Sequence, residues 1–385
     1  MVRLLVVTSL VSYLACGVEG SASTPTHDAD VAVSDGSANP TLDASAEHRP
    51  DGSAETTTSH QCPGEPHPHS ASVEPFERGV CEPQPLGTPP PTSQADVNGS
   101  SFVYTQLEQP KALMLIFHGG GGDMHDLIHR VEGAIFAQRA TSQGVVIASL
   151  NSEAHITAPQ GPKYKWNIDP TPCNPDIVNV TAMVKRLMDP DDLNAVPPGA
   201  PIFALGVSNG GSMVSRTAQH MRFSAVASYI SNAQSFHEQG ALIPPVVIVA
   251  GQNDGTVGTQ GPCMLLDKAA IATFHLNSAA PLTSGSFTRI PGIDCTLSQS
   301  IFTALLDNGV LTEAYFIDQN PTMIQSWSPH IPEAAKPYLP EIRDLLLERF
   351  GEHSFTSEFD EDTLDFLWRY ASPSEPSDLA TCDTP

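Results

Sequence analysis

The peptide Gly206-Val207-Ser208-Asn209-Gly210-Gly211 sets a serine among small residues, directly after the apolar run Ile202 to Val207 and before Met213, Thr217, Ala218 and Met221, which share one helical face. G-x-S-x-G alone is a weak pattern. Between a strand and a helix it has a mechanism: a sharp turn exposes the Ser208 hydroxyl above a sheet, and Gly206 and Gly210 let the two backbones approach. The chemistry suited to such a hydroxyl is nucleophilic attack on an acyl carbon. The plainer reading is a glycine-rich turn with a capping serine. A second peptide, Phe117-His118-Gly119-Gly120-Gly121-Gly122-Asp123, also follows an apolar run. In acyl transfer the carbonyl oxygen becomes an oxyanion, and amides on a loop without Cβ atoms can reach it. Gly119 and Gly120 are expected to supply one donor and the Asn209 amide the other. A phosphate-binding loop competes weakly, because no Gly-Lys-Ser/Thr follows.

These peptides need strands to hold them. Short apolar runs at Phe102 to Thr105, Ala112 to Phe117, Val145 to Leu150, Ile202 to Val207, Ala225 to Ile230 and Val246 to Ala250 read as strands buried on both faces. Helical spacing occurs between them at Asp126 to Ala140 and Ile177 to Met188. The expected class is α/β, a mostly parallel sheet with helices on both faces, over residues 101–385. An insertion or lid is expected around 255–340, where eight prolines fall. Within and after it the spacing suggests helices at Met264 to Leu276, Leu297 to Leu306 and Leu339 to Phe350, and a strand at Glu313 to Ile317.

The sequences HGGGG at 118–122, GVSNGG at 206–211 and GQNDGTV at 251–257 together resemble an α/β-hydrolase. They are most similar to secreted esterases of the polyhydroxybutyrate-depolymerase and feruloyl-esterase kind. The resemblance covers roughly residues 101–371 at the level of motifs, and the stretch 255–340 matches nothing placed. It implies a triad in the order serine, acid, histidine, with Ser208 as nucleophile and Asp254, after the strand Val246 to Ala250, as the acid. An Asx turn before Gly255 is the competing role for Asp254. Gln252 and Asn253 depart from the family, which often has His or Thr near these positions, and Asp318 is the alternative acid. For the base, His275 falls inside a helical pattern, leaving His353 and His330. Gly351-Glu352-His353, an acidic approach at 360–362 and a final amphipathic helix match the family's ending and favour His353. His330 lies closer to the expected strand at 313–317. The implied activity is hydrolysis of a small or polymeric ester through an acyl-enzyme on Ser208, with no metal or cofactor. A non-catalytic surface binding module and a serine peptidase on the same fold are the alternatives.

Composition bounds these readings. The chain has 385 residues, 43 Asp+Glu against 18 Lys+Arg and a formal net charge of −25, which argues against nucleic acid as a main partner. Residues 1–16 read as an export signal, and Leu14-Ala15-Cys16-Gly17 resembles a lipobox whose Cys16 would tether the chain to a membrane. Residues 17–100, with Phe76 as their one aromatic residue, read as a disordered acidic linker. His60, Cys62, His67 and His69 are read as incidental residues of that tail rather than a metal site. With Cys16 lipidated, six cysteines remain for disulfides in an oxidising compartment. Cys62 with Cys81 and Cys263 with Cys295 are the pairings that neighbourhood suggests, among 15 possible connectivities. Asn98-Gly99-Ser100 and Asn179-Val180-Thr181 are glycosylation acceptors if the host is eukaryotic.

Overall fold

The six expected apolar runs all form strands, and two further strands complete an eight-stranded sheet in order β1-β2-β4-β3-β5-β6-β7-β8. The computed structural model describes residues 81–157 and 165–375. The expected export signal with Cys16, and the expected linker to residue 80 with its histidines and Cys62, lie outside the described residues. The strands are β1 Thr92–Val97, β2 Ser100–Thr105, β3 Ala112–Phe117, β4 Val145–Leu150, β5 Ile202–Val207, β6 Ala225–Tyr229, β7 Val246–Gly251 and β8 Ala272–Asn277. Pairings β1/β2 and β2/β4 are antiparallel; β3/β4, β3/β5, β5/β6, β6/β7 and β7/β8 are parallel. This is the strand arrangement of an α/β-hydrolase sheet. The helices are α1 Asp126–His129, α2 Val131–Ser142, α3 Glu153–Thr157, α4 Pro175–Met188, α5 Asn209–Thr217, α6 Gln260–Met264, α7 Cys295–Asp307, α8 Leu339–Phe350 and α9 Asp360–Arg369.

Period-two alternation divides each central strand between two cores. Leu113, Leu115 and Phe117 of β3 face α4 and α5, against Ile177, Val180, Met183, Val184 and Met213. Met114 and Ile116 face the other side, with Leu127, Phe136, Ala137, Leu364 and Leu367 of α1, α2 and α9. Burial on both faces explains why these strands are continuous apolar runs rather than alternating ones.

The structure corrects several expectations. The segment expected as linker is not unstructured up to residue 100: β1 pairs along its whole length with β2 through Asn98-Gly99, both at positive φ (50° and 82°). A two-residue Asn-Gly turn with this backbone matches strand twist and closes a hairpin. The Asn98 side chain, exposed at this turn, donates to Asn179 Oδ1 at 3.1 Å, and Asn179 is buried on α4. The expected single helix at 126–140 breaks at Arg130, whose ψ of 151° separates α1 from α2. The expected helix Met264 to Leu276 does not form: α6 ends at Met264, turns follow, and the second half becomes β8. An edge of β7 open to pairing and the β-prone run from Ile271 to Phe274 outweigh the apolar spacing. The expected strand at 313–317 is a turn closed by the isolated bridge Leu311 to Ile317.

The stretch expected as an insertion shares a third core with α2 and α8. Leu282, Phe287, Ile301, Leu305, Trp327 and Leu346 pack together and onto Val131 and Ile135 of α2. Neither suggested disulfide forms. Cys81 bonds to Cys295 at the start of α7, with Cα atoms 5.7 Å apart, and Cys173 and Cys263 are also disulfide-bonded. The bond across 214 residues ties the segment before β1 to the insertion, alongside the hydrogen bonds Gly87 N to Arg289 O and Gln84 N to Thr288 Oγ1.

Candidate active site

The sheet order reverses at β3, whose neighbours are β4 on one side and β5 on the other. Crevices at such switch points, at the carboxyl ends of the strands, are where open α/β sheets bind ligands. The glycine loop follows β3 and Ser208 follows β5, so both peptides singled out in the sequence open onto that crevice.

Ser208 has φ 56° and ψ −119°, outside the regions that ordinary residues favour. Such a conformation costs about 1–3 kcal/mol and persists only where its surroundings fix it. Here they do. Ser208 N donates to Tyr229 O at 2.9 Å, and Gly211 N donates to Ser208 O at 3.0 Å. A methyl group on Gly206 would lie 2.3 Å from Gly210 O, and one on Gly210 would lie 2.0 Å from Phe117 O. Only glycine fits at either position, because strand, helix and glycine loop touch backbone to backbone.

The Ser208 hydroxyl meets His353 Nε2 at 2.8 Å, and His353 Nδ1 meets Asp254 Oδ2 at 2.8 Å. A carboxylate can only accept, so Nδ1 carries the proton and Nε2 is left to accept from Ser208 Oγ. The Asp254 side chain is fully buried. Burial alone would push its carboxyl up, but the bonds from His353 and from the Val257 and Thr256 amides (2.9 and 2.8 Å) outweigh that and hold it below the usual range. The Asx turn considered as a rival role for Asp254 is therefore present as well: Oδ1 caps the turn while Oδ2 holds the imidazole.

His353 owes its place to the end of α8. Gly351, at φ 72°, ends that helix in a left-handed cap, with Gly351 N donating to Glu348 O and Glu352 N to Leu347 O. Asn253, one of the two departures from the resembled pattern, joins the Asp254 loop to this cap, and Gln252, the other, ties it to the segment after β8. Asn253 N donates to Gly351 O at 2.8 Å, Asn253 Nδ2 to Phe350 O at 2.6 Å, and Ala279 N to Gln252 Oε1 at 3.2 Å.

The structure does not bring the alternatives to this site. Asp318 is exposed beyond the 311–317 turn. His330 ends a short 3-10 helix, Ser328–His330, in the insertion, and the hydrogen bonds of Ser208 Oγ and Asp254 Oδ2 go to His353. His275 lies on β8, stacked on Phe359 at 4.8 Å.

On the other side of Ser208, an added Cβ on Gly119 would lie 3.7 Å from Ser208 Cβ, and one on Gly120 would lie 3.9 Å from Asn209 Cβ. The loop thus flanks the serine and the first residue of α5, whose amide has no partner within the helix. Trp166, absent from the sequence reading, braces this arrangement. Its amide donates to Asn209 Oδ1 at 2.8 Å and its indole Nε1 to His118 O at 2.9 Å, and its ring lies 4.6 Å from that of His118. His118 Nδ1 donates in turn to Gly119 O at 2.8 Å, and burial lowers its pKa, keeping the ring neutral. Just beyond Trp166, buried Asp176 accepts from Asn167 N and Glu153 N at 2.7 and 2.6 Å. Its carboxyl is pushed up by burial to about 6. A lone tryptophan in a polar stretch was the available signal for this brace.

A cleft of about 290 Å³ opens at the serine, walled by Leu127, Val131, Ile230, Leu345, Leu347 and Phe355. Arg130 crosses between its walls, pairing with Asp126 at 2.9 Å and with Asp344 of α8 at 3.1 Å. Ile230 has φ 44°, a strained value for a β-branched residue. Among the described residues no group of three or more His, Cys, Asp or Glu is placed to hold a metal ion.

No family model and no curated protein matches the chain. Solved structures similar to it include Est1E from Butyrivibrio proteoclasticus with ferulic acid bound, at 17% identity over 48% of this chain and 88% of that one, TM-score 0.34. The Bacillus cereus carboxylesterase matches at 16% over 46% and 85%, TM-score 0.34. An alpha-beta serine hydrolase homologue from Coxiella burnetii matches at 12% over 50% and 89%, TM-score 0.37. At this level of similarity they carry no argument about activity, and the fold assignment rests on the strand order and pairing described above.

Proposed function

We propose that the protein is an exported serine esterase that hydrolyses carboxylic esters through an acyl-enzyme on Ser208. The observation that carries this reading is the hydrogen-bonded chain Ser208 Oγ, His353 Nε2, His353 Nδ1, Asp254 Oδ2, with both links at 2.8 Å. In the first step His353 Nε2 takes the hydroxyl proton as Oγ bonds to the ester carbon. The carbonyl oxygen becomes an oxyanion that accepts from the Asn209 amide and from an amide of the Gly119-Gly120 pair; one such donor is typically worth about 3–4 kcal/mol. Asp254 holds the imidazole tautomer and stabilises its positive charge. Collapse of the intermediate breaks the bond to the alkoxy group, which leaves as the alcohol with the proton from His353. Water, deprotonated by the same nitrogen, then attacks the acyl carbon and releases the acid and the free serine.

The apolar walls of the cleft suit the hydrocarbon part of an ester, and the Arg130 bridge gives it a polar boundary. Disulfide use supports export to an oxidising compartment, where acylation of Cys16 would tether the chain to a membrane. A fluorophosphonate probe distinguishes the esterase from a non-catalytic binder on the same fold. Labelling of the folded protein at the peptide containing Ser208 is expected, and folded protein that stays unlabelled would favour the binder.

A further inference from the structure

Glu352 is 5% exposed, and all three groups that donate to it are uncharged. Its Oε1 accepts from two backbone amides, Gly255 N at 3.0 Å and His353 N at 3.2 Å, and its Oε2 accepts from Asn320 Nδ2. Gly255 directly follows the acid and His353 is the base, so a single oxygen atom joins the backbones that carry the two partners. Asn320 belongs to the inserted region, and its own Oδ1 accepts from Thr322 N at 2.9 Å, which fixes the orientation of its amide. A buried carboxylate costs free energy unless its lone pairs are satisfied. Here they are satisfied by the groups whose spacing the reaction needs.

The rest of the acid's geometry is set independently. Asp254 Oδ1 is held by Thr256 N and Val257 N, so the carboxylate is fixed within its own turn. What remains is the position of that turn against the loop bearing His353, to which Asn253 contributes from one side and Glu352 from the other. A shorter side chain at 352 cannot reach Gly255 N and Asn320 together. An uncharged one of equal length can still accept from the Gly255 and His353 amides through one oxygen, though its NH2 group cannot accept from Asn320 Nδ2.

We propose that Glu352 is a positioning residue for the Asp254–His353 pair, acting through its reach to the Gly255 and His353 amides and not through its charge. The proposal rests on the esterase reading. Two conservative variants separate the possibilities, and each is small enough to keep the fold. Glu352→Gln keeps the reach to the Gly255 and His353 amides and loses the charge together with the bond from Asn320; its kcat on p-nitrophenyl butyrate is expected within about threefold of wild type. Glu352→Asp keeps the charge and loses the reach; its kcat is expected to fall about tenfold or more with KM within twofold, since a misplacement of about 1 Å can cost 10²-fold. The opposite order, an active Asp variant and an impaired Gln variant, would overturn the proposal in favour of an electrostatic role. Equal kcat in both variants would also overturn it, because a residue that serves only stability lowers the melting temperature without separating them. Failure of the esterase reading is read separately, from the Ser208→Ala variant, which carries Glu352 unchanged.

Discussion

Ser208→Ala is expected to lower kcat/KM for p-nitrophenyl butyrate by about a million-fold, with circular dichroism and melting temperature unchanged. The size of the effect follows from what the serine does in the proposed mechanism. Its oxygen forms the acyl bond, and without it only substrate binding and the amide donors remain to act on direct attack by water. The substitution removes one oxygen atom from a turn whose backbone is held by Tyr229 O and by the close contacts of Gly206 and Gly210, so the fold has no reason to respond. Hydrolysis within tenfold of wild type would mean that the reaction, if any, occurs elsewhere.

His353→Ala is expected to cost nearly as much, because nucleophile and base act as one unit and the loss of either disables both. His330→Ala, assayed beside it, should leave kcat/KM within about twofold, the usual range for a substitution away from the reacting groups. The contrast rests on geometry: His353 Nε2 lies 2.8 Å from Ser208 Oγ, whereas His330 ends a 3-10 helix within the insertion. Equal losses in the two variants would contradict the assignment.

Central strands were legible because burial on both faces leaves a continuous apolar run, as in Ala112–Phe117 and Val246–Gly251. The edges of the sheet were not. β1 reads Thr-Ser-Gln-Ala-Asp-Val, mostly polar because an edge strand is half solvated, and its true signal was the Asn98-Gly99 turn rather than its composition. β8 carries Phe274 and Leu276 two apart on one face, a pattern that a short stretch shares with a helix until the neighbouring strand is known.

Within the site, Ser208 and the glycine loop were readable from contiguous motifs because their chemistry and their backbone needs lie in the same few residues. The proposed acid and base are 99 residues apart and were assigned through the resemblance, while their meeting depends on the Gly351 cap and on Asn253. Trp166 and Glu352 were overlooked for a related reason. Trp166 meets His118 and Asn209, and Glu352 meets Gly255 and Asn320, all distant in the chain, so these contacts appear only when the loops are assembled. The Cys81 to Cys295 bond is the extreme case, since 214 residues separate partners that sequence spacing would not pair.

The acyl-enzyme itself offers the most direct test. Wild-type protein mixed with excess p-nitrophenyl butyrate, quenched in acid during turnover and digested, should show one butyryl mass increment, on the peptide that contains Ser208. Steady hydrolysis with no acylated peptide, or with the acyl group on a different residue, would contradict the account.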